Sequence, residues 1–142
     1  MPASISLYNH TARRFADGSN SPSDTYKVKL LTAATFDATH TTLTATGGTE
    51  TSNAGYTAGG ATLSGVTVTT VTTNDAAFDA NDVSWTASGA ALEAAYGILY
   101  NDSDTNDPPV AFIDFDGTES AGVGTDFRIV WNASGIFTFT VA

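Results

Sequence analysis

Residues 95–115 read AYGILYNDSDTNDPPVAFIDF. Two short apolar runs, Ala95 to Tyr100 and Val110 to Phe115, flank a polar stretch that ends in two prolines. Runs this short, bounded by Asn, Asp and Pro, predict strands rather than helices. In the second run Val110, Phe112 and Asp114 fall on one face, and Ala111, Ile113 and Phe115 on the other. That is the period of two that a pleated chain imposes. The signature recurs outward in both directions. Phe127, Ile129 and Trp131 alternate with Arg128, Val130 and Asn132. Asn132 to Gly135 signals a tight hairpin, and Ile136 to Val141 reads as a closing strand. Upstream, Tyr26, Val28 and Leu30 alternate with Lys27, Lys29 and Leu31. Thr62 to Thr73 predicts a strand bulged near Gly65, and Phe78, Val83 and Trp85 mark a further short pair.

The remaining segments frame these strands. Residues 4–16, SISLYNHTARRFA, predict a helix stopped by Asp17-Gly18, since Leu7, Thr11, Arg14 and Phe15 fall near helical spacing. Residues 33–61 predict a long loop with short strand pieces, punctuated by Gly55, Gly59 and Gly60. A helical turn is expected over Ala90 to Ala95, and a Gly-rich turn over 116–125. Regularly spaced strands with turns between them point to an all-β fold: a β-sandwich, jelly-roll-like, with an N-terminal arm or short helix. The expected division is an arm, helix and loop over 1–24 and the sandwich over 25–142.

Composition narrows function. The chain has 142 residues and no cysteine, so neither disulfides nor thiolate metal sites arise. A globular chain of this size buries roughly 70% of its unfolded surface, enough for a core without such staples. Five basic residues against fifteen acidic ones give a net charge of −10. Nucleic acid and anionic membranes both require basic patches, so neither is an expected partner. No apolar run approaches the roughly 20 residues of a membrane span, and the first residues lack a signal peptide's pattern. The expectation is a soluble protein made in a cytoplasm. Charge is unevenly distributed. Residues 1–29 hold Arg13, Arg14, Lys27 and Lys29 against Asp17 and Asp24, a net of +2; residues 30–142 hold Arg128 against thirteen acids, a net of −12. Such asymmetry marks either an interaction arm or ordinary solvated surface.

Each motif that suggests chemistry lacks a necessary member. Asp102, Asp104 and Asn106 match the opening of a calcium loop. Asp107 replaces its turn glycine and Ile113 its bidentate glutamate, so a solvated loop with no metal is expected. Asp114, Asp116 and Glu119 offer the paired carboxylates of a glycosidase, yet pairs arise by chance among fifteen acids. His10 and His40 are the only histidines and no nucleophile elbow is present. The glycine runs contain no lysine, so no phosphate loop forms. Neither an enzyme nor a cofactor is expected. Tyr96, Tyr100, Phe112, Phe115, Trp131 and Phe137 lie on strand positions and read as core or subunit-interface aromatics, with a carbohydrate platform the lesser reading.

The order of motifs carries a resemblance. It runs YKVKLLT (26–32), GYTAGGATL (55–63), FDANDVSW (78–85), YGILYND (96–102), AFIDF (111–115) and IVWNASGI (129–136). This resembles small structural proteins of tailed bacteriophages, many of which are like capsid decoration, or cement, proteins. The resemblance implies a β-sandwich that binds the outside of an assembled capsid and bridges neighbouring subunits. It implies the major capsid protein and further copies of itself, as dimer or trimer, as partners. It places the protein on the outer capsid surface of a virion, after synthesis in a bacterial cytoplasm. Arg13, Arg14, Lys27 and Lys29 are the capsid-docking candidates. A tail, neck or head-fibre component with the same sandwich is the alternative.

Overall fold

The computed structural model describes residues 4–71 and 74–141. Thr72 and Thr73, at the end of the strand expected over 62–73, lie outside the described residues. So do residues 1–3 of the arm.

The fold is all-β and sandwich-like. One large antiparallel sheet contains β1 (Ser4–Leu7), β9 (Pro109–Ala121), β8 (Leu92–Asn101), β2 (Tyr26–Ala33) and β3 (Thr49–Glu50), in that spatial order. β4 (Ala61–Thr62) shares the far edge of β2 with β3. The facing layer is divided. β10 (Asp126–Ile129) pairs β7 (Val83–Thr86), while β11 (Phe137–Phe139), β6 (Ala76–Asp79) and β5 (Thr67–Thr70) form a three-stranded sheet. Two short helices, α1 (Thr11–Ala16) and α2 (Leu43–Thr46), complete the described elements.

The main core lies between these layers. Val28, Leu30, Leu99, Ile113 and Phe115 of the large sheet meet Phe78 and Phe137 of one small sheet, and Trp85, Phe127 and Ile129 of the other. The opening stretch is buried on both faces. Leu99 and Ile113 point into this core, while Ile98, Tyr100 and Phe112 form a second cluster on the outer face with Tyr8 and Leu31. Phe36 and Leu43, from the long 33–61 segment, pack over that cluster. Double burial explains why AYGILY reads as a continuous apolar run rather than an alternation.

Four expectations are corrected. Residues 4–16 are not one helix: β1 pairs β9, and α1 begins only at Thr11. Ile5 and Leu7 pack against the core while Ser4 and Ser6 alternate with them, so the period of two won locally over the helical one. No helical turn fills 90–95, because β8 starts at Leu92. β9 continues to Ala121 through the expected turn at 116–125. Asp116 and Gly117 take positive φ, the register with β8 shifts between Ala94 and Tyr96, and pairing resumes at Glu119. A bulge therefore occupies the first part of the expected turn, and the turn itself is confined to Gly122–Thr125, closed by Thr125 N–H to Gly122 C=O at 2.9 Å. Finally, Asn132–Gly135 is a tight turn, closed by Gly135 N–H to Asn132 C=O at 2.9 Å, but it is not a hairpin. The strands on either side, β10 and β11, belong to different sheets.

Candidate functional site

The arm folds back onto the body at the 101–109 connection. His10 Nε2 lies 2.7 Å from the Pro109 carbonyl, and Thr11 Oγ1 donates to the Val110 carbonyl at 2.7 Å. Arg14 Nη2 pairs with Asp104, and its Nε donates to Asn20 Oδ1 at 3.2 Å. Fully buried Asn101 donates through Nδ2 to Asn20 Oδ1 at 2.9 Å and to Asp24 Oδ2 at 3.0 Å. Its Oδ1 accepts the Ser103 N–H, and Ser103 Oγ accepts the Thr25 N–H. Lys27 Nζ sits 2.9 Å from Asp102 Oδ2. The acidic loop is thus a latch that clamps residues 14–27 against the sheet. Buried polar groups of this kind stabilise only when paired, and here nearly every one is.

The latch reassigns the residues that the sequence offered for chemistry. Asp102 and Asp104 are drawn to separate cations, Lys27 and Arg14. Among the described residues no group of three or more His, Asp or Glu side chains is placed to hold a metal ion. Arg14, with a side chain only 12% exposed, is committed to the arm rather than projected outward. Arg13 is different: it pairs with Asp17 but its side chain is 67% exposed. Lys29 stands half-buried on the outer face of β2, beside Ile98 of β8, with no hydrogen bond or ion pair among the described residues.

The second acidic cluster is also occupied with local structure. Asp114 Oδ1 accepts the Asp116 N–H at 2.8 Å and so supports the left-handed turn at Asp116. Asp82 accepts the Trp131 N–H and pairs with Arg128; that backbone bond foremost, then the guanidinium, holds its carboxyl below the usual range. Tyr100, Phe112, Phe115, Trp131 and Phe137 are buried, and Tyr96 is half-buried. They build the two cores and offer no flat exposed platform for a sugar. A further network had no sequence signal. Tyr56 Oη accepts the Leu30 N–H and donates to Glu50 Oε1, which also accepts the Gly59 N–H, while Tyr100 Oη donates to the Gly59 carbonyl. It ties the glycine segment to β2 and β8.

No family model, curated protein or solved structure matches the chain.

Proposed function

We propose that this chain is a viral structural protein, a cement or decoration protein that binds the outside of a tailed-phage capsid. In this reading it bridges neighbouring capsid subunits and strengthens the shell. The ordered motifs from Tyr26 to Ile136 suggest the family. The observation that carries the reading is the disposition of charge. A chain of net charge −10 spends Arg14 and Lys27 on its own latch, while Arg13 stays largely exposed and Lys29 stands half-buried on the outer face of β2. An ion pair as exposed as Arg13–Asp17 adds little to folding, so Arg13 exchanges partners at little cost. A lattice presents many copies of each docking site, which turns weak single contacts into firm attachment. The acidic remainder of the surface keeps a crowded particle soluble.

The test is co-sedimentation of the purified chain with capsids of the phage that encodes it. The expected outcome is saturable binding that weakens as salt rises and falls several-fold in the Arg13→Ala/Lys29→Ala double variant. Chain that stays in the supernatant at every salt concentration contradicts the proposal. Binding to tails or necks alone selects the alternative, a tail, neck or head-fibre component.

A further inference from the structure

Two Asp-Gly pairs occur in the chain, Asp17-Gly18 and Asp116-Gly117. Both aspartates are exposed. An aspartate followed by glycine carries a latent reaction. The backbone nitrogen of the next residue can attack the side-chain carboxyl carbon, because the two close a five-membered ring. Glycine puts no side chain in the way. The reaction runs through the neutral carboxyl, since a carboxylate resists a nucleophile. The sequence therefore marks two equal candidates, and the fold separates them.

Asp17 is tied down on both oxygens. Its Oδ1 accepts the Ser19 N–H at 2.9 Å, and its Oδ2 accepts from Arg13 Nη1 at 2.8 Å. The bonds to Ser19 foremost, then the Arg13 and Arg14 charges, hold its carboxyl below the usual range. Bonds to the charged form deplete the neutral acid that reacts. Asp116 is not restrained in this way. Its N–H is held by Asp114 Oδ1 at 2.8 Å, but among the described residues its own carboxyl has no hydrogen-bond or ion-pair partner. It takes φ +60°, a left-handed conformation uncommon for any residue but glycine, and Gly117 follows at +121°. A methyl group built on Gly117 would meet nothing within 4 Å, so the glycine stands in open space. The ladder releases the segment as well. β8 and β9 pair Tyr96 with Asp114 and next Ala94 with Glu119, so residues 115–118 have nothing opposite them in β8.

We propose that Asp116 is a self-modification site, converting spontaneously to isoaspartate through a cyclic imide with Gly117. The Gly117 nitrogen bonds to Asp116 Cγ and loses its proton, and the carboxyl hydroxyl departs as water. Water then opens the imide at one of two bonds. Breaking the bond from nitrogen to Cγ restores aspartate. Breaking the bond from nitrogen to the main-chain carbonyl carbon leaves Gly117 joined through Cγ, as isoaspartate, with the old main-chain carbonyl now a free carboxylate. One water is lost and one regained, so the product keeps the mass of the starting chain, and no oxidant, reductant or cofactor is consumed. The main chain gains one carbon at this point. That carbon falls in the unpaired stretch, between the Asp114 hydrogen bond and the pairing that resumes at Glu119. The inference does not rest on the capsid reading.

The test is ageing of the purified full chain, warm and at mildly acidic pH, followed by peptide mapping with fragmentation that distinguishes aspartate from isoaspartate. In the folded chain isoaspartate is expected to accumulate at 116 at least about tenfold faster than at 17. In concentrated urea, where no fold protects Asp17, the two rates are expected to converge. Asp116→Asn closes the same ring with ammonia as the leaving group in place of water. It is expected to convert faster than Asp116 and to show the mass change of an amide becoming an acid. If the asparagine variant fails to fold, the wild-type comparison of 116 with 17 decides. Equal rates at the two sites in the folded chain, or no isoaspartate at 116, overturns the proposal. So does a folded asparagine variant that converts no faster than Asp116.

Discussion

Gly60 shows how much a single residue decides. Its φ of +87° is left-handed, and a methyl group added there would lie 1.8 Å from the Val28 carbonyl oxygen. Gly124, at φ +79°, has nothing within 4 Å. Gly60→Ala is expected to lower stability by more than about 3 kcal/mol, because strand β2 itself obstructs the new atom. Gly124→Ala is expected to cost about 1–2 kcal/mol, the conformational term alone. Urea unfolding of the two variants measures the difference, and equal losses would show that the contact with Val28 is unimportant. The sequence shows that 55–60 is a glycine-rich turn but not that Gly55 and Gly60 are its crowded positions, since the obstructing carbonyls belong to Thr86 and Val28, about thirty residues away on either side. The cations behave alike. Their clustering is legible, yet Arg14 finds Asp104 across 90 positions, and no local pattern records that partner.

At the scale of elements, strongly patterned strands are legible and weak ones are not. Tyr26 to Leu31, Ala95 to Tyr100 and Val110 to Phe115 carry enough apolar side chains to show their period, and each is a strand. β1 and α1 share thirteen residues in which both periods fit, and contact with β9 decides between them. The 116–121 segment is hidden because its side chains are mostly exposed and polar, and only Ala121, opposite Leu92, packs into the core. α1 is held by packing as much as by the latch. Phe15 contacts the rings of Phe78, Phe137 and Phe139 at 5.5–6.0 Å. Phe15→Ala is expected to cost about 2–3 kcal/mol, toward the low end for a phenylalanine because the side chain is only partly buried. The denaturation midpoint should fall with the m-value unchanged. A drop in m would instead show that the arm detaches before the body unfolds.

The molecule as a whole joins a small, disulfide-free core to a strongly acidic exterior, and its pH response follows from the core. Burial raises the phenol pKa of Tyr8, Tyr26, Tyr56 and Tyr100 above the ordinary value of 10.0, in Tyr100 to about 12. Each phenol is held neutral when folded and ionises earlier when unfolded. Above pH 10.0 the unfolded chain therefore binds fewer protons, and stability falls as pH rises. The contribution is fully present below pH 10.0; that of Tyr100 is lost as pH climbs through about 12, and those of Tyr8, Tyr26 and Tyr56 at higher pH still. Urea midpoints are expected to hold steady up to about pH 9 and to decline steeply beyond about pH 10, in step with phenolate absorbance. Unchanged midpoints across that range would mean that these hydroxyls ionise freely within the fold.

We propose that this sandwich serves as a shell-bound structural protein. An averaged electron-microscopy image of phage particles assembled in cells that express the chain, at a resolution that places strands, checks this. Density for the sandwich is expected on the outer capsid surface, seated across the junction of neighbouring capsid subunits, with Arg13 or Lys29 at the contact. Its absence from the shell, or its placement only in the tail or neck, would contradict this role.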